Sequence, residues 1–462
     1  MQFPRSPSGS AQAAARNYTA VSIVQRLDEK AMGRFQWQVV SLCFLINMLD
    51  GFDVLVMAFT ASSVAAEWGL SGIDIGYLLS AGLVGMALGS LFIAPWADRF
   101  GRRPLILLCL AIAALGMLLS SRAPSVQMLG ALRFMTGLGI GGILASSYVI
   151  AGEYANRKWR SLAISLQSTA YALGATLGGL FAAQVIPEAG WRSVFLYGGI
   201  ATLMTLPVMF LLLPESIAYL LARQPRGALG RVNGLLGRMG VEPVEALPTP
   251  QALERKAPGQ GFATLFSGPL LRSTLLVWAG FFLVMFGFYF VMSWTPKLLV
   301  SAGLSNQQGI TGGVLLNLGG IVGTSLIGLL AAKYRLSRIL VGYLLLNALL
   351  LAIFVHFTAH LSLAFVLVLL IGVLVNGCVA GLYALTPGIY APEQRVTALG
   401  WGIGVGRIGA ILSPLVAGGL IDAHWQPADL YLLFAGAFLL AALAVRLMRS
   451  QAPLPAARPL AS

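Results

Sequence analysis

Apolar stretches of about twenty residues, each long enough to cross the hydrocarbon core of a bilayer as a helix, recur twelve times along this chain. They lie near 36–60, 75–97, 104–121, 126–151, 161–186, 192–213, 273–299, 309–332, 338–357, 362–389, 396–421 and 429–448. In lipid such a run can satisfy its backbone N–H and C=O groups only by coiling into a helix. The pattern therefore predicts an all-α polytopic membrane protein with twelve transmembrane helices. Composition agrees, because 10% charged residues, against about 25% in soluble domains, are too few to coat a water-facing surface. The 54 glycines suit closely packed membrane helices. The net charge of +14 would suggest a nucleic-acid partner in a soluble chain, but here the basic residues sit in short gaps between apolar runs and read as topology signals. Cys43, Cys109 and Cys378 are odd in number and lie inside apolar stretches, which argues against a disulfide framework or a metal site. Residues 1–30 are polar with no apolar core, so no cleavable signal peptide is expected.

Twelve spans put both termini on one side. With that side cytoplasmic, the inner segments hold 25 of the 30 Lys and Arg residues, and the outer loops hold only Arg122, Arg192 and Lys297. This bias places both ends in the cytoplasm. The longest gap, 214–272, is rich in Pro, Gly and Arg and reads as a cytoplasmic linker with some short helix. The expected organisation is a tail at 1–35, a six-helix bundle at 36–213, the linker, a second six-helix bundle at 273–449 and a tail at 450–462. An internal repeat supports two pseudo-symmetric halves. Tyr154-Ala155 and Arg160-Ser161-Leu162-Ala163 precede Gly174-Ala175-Thr176-Leu177-Gly178-Gly179-Leu180, as Tyr390-Ala391 and Arg395-Val396-Thr397-Ala398 precede Gly409-Ala410-Ile411-Leu412-Ser413-Pro414-Leu415. Paired six-span repeats about a central site are a transporter plan.

The gap between the second and third spans reads Gly89 … Asp98-Arg99-Phe100-Gly101-Arg102-Arg103. With twelve spans around it, this run resembles the signature loop of the major facilitator superfamily, although Ala94 and Trp96 stand where that loop usually has Gly and Leu. Glu153 and Arg160 after the fourth span, and Pro214-Glu215-Ser216 after the sixth, resemble pieces that in the superfamily latch the cytoplasmic helix ends. Asp98, Arg102, Arg103, Glu153, Arg160, Glu215 and, in the second half, Arg395 are the expected inner charge layer. The alternative is ordinary loop charge that sets topology only.

Asp50-Gly51-Phe52-Asp53 lies in the first span. Asp50 is about fourteen residues, or roughly 21 Å, from the span's start, near or past mid-membrane. Asp50 and Asp53 share one helix face. Each charge at that depth costs about 2.5–3.5 kcal/mol, so the pair is suited to loading and releasing protons, or else forms a hydrogen-bonded structural pair. The run resembles the first-span motif of the aromatic acid:proton symporter family. Glu67-Trp68-Gly69-Leu70, Trp294-Thr295-Pro296-Lys297-Leu298 and Gly406-Arg407-Ile408-Gly409 are similar to other pieces of that family. The resemblance implies proton-coupled import of benzoate-type or related carboxylates by alternating access.

Arg133 and Arg407 are the two cations within spans. Arg133 is expected to pair with Asp50 or Asp53, or to meet an incoming carboxylate, and Gly137, Gly139 and Gly141 below it admit a close neighbouring helix. Arg407 is the candidate substrate anchor, because a planar guanidinium binds a carboxylate with two hydrogen bonds. A structural pair with a backbone carbonyl or an inner-layer acid is the competing role. Phe52, Tyr148, Tyr289, Trp294, Tyr383 and Trp401 are candidate ring contacts, and Asn317 and Asn376 candidate polar contacts. An anion entering a negative-inside cell costs about 2.3 kcal/mol per 100 mV, which protons offset. No cofactor beyond the proton gradient, no nucleic acid and no obligate protein partner is expected. His356, His360 and His424 fall at outer helix ends and offer no relay. A drug:proton exporter, a sugar or non-aromatic acid porter, and a ligand sensor that does not transport remain as alternatives. There is no Walker sequence, HExxH or nucleophile elbow, so an enzyme is not expected. The resemblance implies a bacterial inner membrane.

Overall fold

The structure, a computed structural model, describes residues 26–247, 265–266, 268–354, 357, 360–390 and 394–448. Most of the expected N-terminal tail, part of the linker, the C-terminal tail and His356 lie outside the described residues. The main helices are α1 (Arg34–Trp68), α2 (Gly72–Leu88), α3 (Arg102–Ser120), α4 (Val126–Tyr154), α5 (Arg160–Leu212), α6 (Ile217–Arg223), α7 (Ala228–Arg238), α8 (Gly268–Ser301), α9 (Asn306–Lys333), α10 (Leu336–Phe354), α11 (Leu361–Leu385), α12 (Arg395–Asp422) and α13 (Pro427–Leu447).

Among the described residues, eleven helices are long and apolar enough to cross a membrane. The difference from the expected twelve is α5. Its 53 residues would extend about 80 Å, more than twice a bilayer's hydrocarbon thickness. Gly190, at φ +73°, breaks it into two arms that match the expected fifth and sixth spans. The first helix runs eight residues beyond the expected end at 60, because its polar tail Ser62–Trp68 continues the helix until Gly69 ends it in the left-handed conformation, φ +61°. The C-terminal end of the second span is not regular α-helix. It passes through a π turn at Gly89–Ile93 and a 3₁₀ turn at Ala94–Trp96, where Pro95 has no N–H to donate.

Starts follow their caps. Ser71 and Asp74 form a reciprocal capping box at α2, and Ser305 and Gln308 do the same at α9. Ser125 caps α4 by accepting from the Met128 N–H. The linker folds as α6 and α7, which lay Leu220, Leu221, Val232 and Leu236 into a core shared with Leu27, Phe35, Val39 and Tyr154.

Close packing falls where glycine permits it. A methyl at Gly51 would strike the Tyr171 carbonyl, and one at Gly174 the Met48 carbonyl, so α1 and the first arm of α5 touch backbone to backbone. In α4, Gly137 and Gly141 meet α2 and Gly139 meets α3, as their spacing implied.

The two sequence halves meet through α2 with α12, α5 with α9, and α1 with α8. Hydrogen bonds between them gather towards one end of the bundle. Ser80 Oγ donates to the Ile411 carbonyl (2.8 Å), Asn306 Nδ2 to Ser63 Oγ (2.8 Å), and the Gly72 and Ile73 N–H groups to the Asp422 carboxylate (2.5 and 2.8 Å). Along this seam the backbones of Gly72 and Gly418, and of Gly76 and Pro414, lie against each other. The outward faces of the bundle carry exposed Leu91, Phe92, Leu115, Met204, Leu211 and Leu329, the surface a lipid-facing helix presents.

Candidate functional site

Asp50 is the centre of the site. It is 6% exposed, and neither carboxylate oxygen has a hydrogen-bond partner among the described residues. Its electrostatic neighbours are Asp53 on its own helix and Arg407 of α12, in the other half of the chain. Tyr148 of α4, Tyr171 of α5 and Tyr289 of α8 also lie within range of Asp50. Tyr383 of α11 stands within range of Arg407, Tyr289 and Tyr148. One acid, one guanidinium and four phenol rings from both halves thus share a single region. The tyrosines and Arg407 are half-buried. Arg407 sits one helical turn, about 6 Å, from Ile411, the innermost residue of the α12 seam. Leu83, Met86 and Ile140 pack against Tyr289 and Ile411 beside the region. From Tyr148 a crevice of about 460 Å³ continues along α4 past Gly152 to Glu153 and Arg160, away from the seam.

Arg133 belongs to a neighbouring pocket. It stands with Asp53 rather than Asp50, and the two line a cavity of about 30 Å³ with Thr136 and Gly137, large enough for a water molecule. Its guanidinium donates to Ser120 Oγ and Thr136 Oγ1, both at 3.0 Å, and to Met117 Sδ at 3.1 Å. The Phe195 ring lies 4.7 Å away, a cation–π distance. These neutral partners hold the charge in place within the first half of the chain.

Several expected contacts are elsewhere. Phe52 is a correction: its ring fills the notch made by Gly178 and Gly198 on the two arms of α5, in a pocket it shares with Phe181 and Tyr197. Trp294 is fully buried in the core and does not line the region. Trp401 is 45% exposed, stacks on Trp278 at 6.0 Å, and shares its helix face with exposed Ile408 and Leu412. Asn317 and Asn376 donate to carbonyls of their own helices, Gly313 and Gly372, at 2.9 and 3.0 Å, and Asn376 packs against Gly320 at the α9–α11 contact. Tyr171 was not singled out from the sequence. Its signal was its place three residues before Gly174, on the face that meets Gly51.

At the end opposite the seam lies the charge layer. Arg102 pairs with Glu153 and donates to Ser216 Oγ (2.9 Å), which donates to Glu153 Oε2 (2.6 Å). Glu215 accepts from the backbone N–H groups of Arg102 (2.8 Å), Arg103 (3.2 Å) and Ser216 (2.8 Å). Asp98 is peripheral, 3.7 Å from Arg102 and 75% exposed. Three expected members diverge. The Arg103 guanidinium donates to the Phe210 carbonyl, Arg160 pairs with Asp28, and Arg395 donates to the Tyr390 carbonyl (3.2 Å) in the second half. The layer therefore ties loops of one half to each other.

Comparison with known proteins identifies the family and the fold. The profile described as Major Facilitator Superfamily matches residues 41–384 and 317–462. A gallate transporter of Pseudomonas putida is 34% identical over 87% of this chain and 89% of its own length. A 4-hydroxybenzoate transporter of Pseudomonas aeruginosa is 31% identical over 89% of this chain and 93% of its own. Among solved structures, the Escherichia coli xylose transporter in a partially occluded, inward-open conformation superposes with a TM-score of 0.69, at 17% identity, over 91% of this chain and 99% of that one. The chain belongs to the Major Facilitator Superfamily, in its aromatic acid:proton symporter family.

Proposed function

We propose that the chain imports aromatic or related organic carboxylates together with protons by alternating access. It is a transporter and not an enzyme. The observation that carries the reading is Arg407 opposite Asp50, amid four tyrosines drawn from both halves. A guanidinium can serve either Asp50 or an incoming carboxylate. When substrate takes it, a buried Asp50 loses its counter-charge, and binding a proton removes the cost of leaving it charged in a low-dielectric site. Substrate and proton then load together. Asp53 and Arg133 form a second acid–base pair one turn away. The phenol rings offer faces for a ring and hydroxyls for its substituents.

The Lys and Arg bias supports twelve spans, counting the arms of α5 separately, in two six-helix halves with both termini and the linker in the cytoplasm of a bacterial inner membrane. On that orientation the seam closes the outer end, and the half-buried cluster is reached from inside. The test is uptake of labelled 4-hydroxybenzoate and gallate by expressing cells at pH 6 and pH 8, with and without a protonophore. Faster uptake at pH 6, lost with the protonophore and in Asp50→Asn, is expected. Uptake unchanged by pH, protonophore and Asp50→Asn would overturn the proton coupling. No uptake of either acid by protein shown to be in the membrane would overturn the substrate class.

A further inference from the structure

The Asp422 carboxylate closes the far end of α12 onto the start of α2. Its Oδ1 accepts from the Gly72 N–H and its Oδ2 from the Ile73 N–H. These are two of the donors that a helix N-terminus leaves without an intrahelical acceptor, at the positive end of its dipole. The α2 start also has an acid of its own, since the Asp74 N–H donates to Ser71 Oγ and the Ser71 N–H to Asp74 Oδ2, both at 3.2 Å. Its first turn is therefore capped twice, once from within and once by the other half of the chain. By contrast, Asp429 accepts from the Gln426 N–H (3.0 Å) at the start of its own helix, α13, and among the described residues bonds to no other helix.

We propose that Asp422 is the latch of the outer seam: it seats on the α2 N-terminus while the outside is closed, and it must leave for the outside to open. Parting α2 from α12 separates Gly72 from Gly418 and Gly76 from Pro414 and breaks both bonds to Asp422 at once. The carboxylate is exposed at the helix end, so water receives it and the N–H groups on release, and the latch is reversible. The proposal rests on alternating access and needs no knowledge of the substrate.

Ser80→Cys supplies the probe, because Ser80 is 3% exposed beneath the latch and bonded to Ile411 across the seam. The rate of its modification by a membrane-impermeant maleimide is measured in right-side-out vesicles, and inverted vesicles fix which side the seam closes. Asp422→Ala and the isosteric Asp422→Asn are each expected to raise the outer labelling rate about tenfold, the size of effect that a charge-assisted hydrogen bond carries. Asp429→Ala is expected to leave it within about twofold of the parent. Parent-rate labelling in Asp422→Asn at normal membrane abundance would overturn the latch. So would equal acceleration by Asp429→Ala. Uptake is not part of the readout, so an error in the substrate assignment leaves this outcome unchanged.

Discussion

Asp50 and Arg407 come from the first and twelfth helices, in opposite halves of the chain, yet each lies in the other's electrostatic field. The pair can persist only while the halves hold their present relation. A movement of one half against the other changes it directly, which is the property a coupling element needs.

Arg407→Lys keeps the charge and removes the planar fork, whereas Arg407→Ala removes both. Uptake of 4-hydroxybenzoate is expected to fall about tenfold in the first and about a hundredfold in the second, measured as kcat/KM. Equal, small losses would show that Arg407 has a structural role.

Tyr289→Phe deletes one hydroxyl in the cluster, and Trp401→Phe changes a ring on an exposed helix face. The expected outcome is a several-fold higher KM for hydroxylated substrates in Tyr289→Phe and an unchanged KM in Trp401→Phe, since losing one neutral hydrogen bond costs about 1 kcal/mol. Concentration-dependent uptake separates the two.

Glu153 and Arg102 are mostly buried, at 17% and 15% side-chain exposure, while Asp98 is 75% exposed. Glu153→Ala removes the buried partner of Arg102, leaving it only Ser216 and the longer, exposed contact to Asp98, and is expected to cost about 3 kcal/mol. Asp98→Asn should cost less than about 1 kcal/mol. Thermal unfolding of the purified protein in detergent gives the ranking.

Gly174→Ala drives a methyl into the Met48 carbonyl, whereas a methyl at Gly230, on α7, meets nothing. The first should destabilise by at least about 1–3 kcal/mol, through overpacking that backbone cannot relieve. The second should stabilise by about 0.5–1 kcal/mol, through helix propensity. Opposite shifts in unfolding temperature are the signature.

The helices were legible because a bilayer demands about twenty apolar residues per crossing, and that demand fixes position along the chain. It does not fix rotation about the helix axis. Phe52, Trp294 and Trp401 illustrate the gap: a helix that is apolar all round carries no periodic sign of which face meets a cavity. Charges were more legible. Asp50 and Arg407 are costly in lipid, so each stood out in the sequence, but the acid pair was expected beside Arg133, and the structure sets Arg133 by Asp53 and Arg407 within the field of Asp50. Arg160 and Arg395 were harder, because loop cations find local carbonyls and acids that no spacing rule predicts. Asp422 escaped notice because an acid at a helix end is ordinary in sequence, and its partner lies on a helix far away in the chain.

The backbone contact between α2 and α12 also has an electrical consequence. From Gly72 to Ser80 the sealed stretch is only about 12 Å long, and no side chain separates the two helices at its glycines. On the proposed orientation, with the cluster open to water on the inside, most of the membrane voltage would fall across this thin layer rather than across the full bilayer. The field there is correspondingly steep, and Arg407 stands just beneath it. A charge that changes sides of the layer as the halves rock crosses nearly the whole potential in a short movement, worth about 2.3 kcal/mol per 100 mV. On the proposed orientation, such a charge would make the cycle respond to voltage without a dedicated sensor helix.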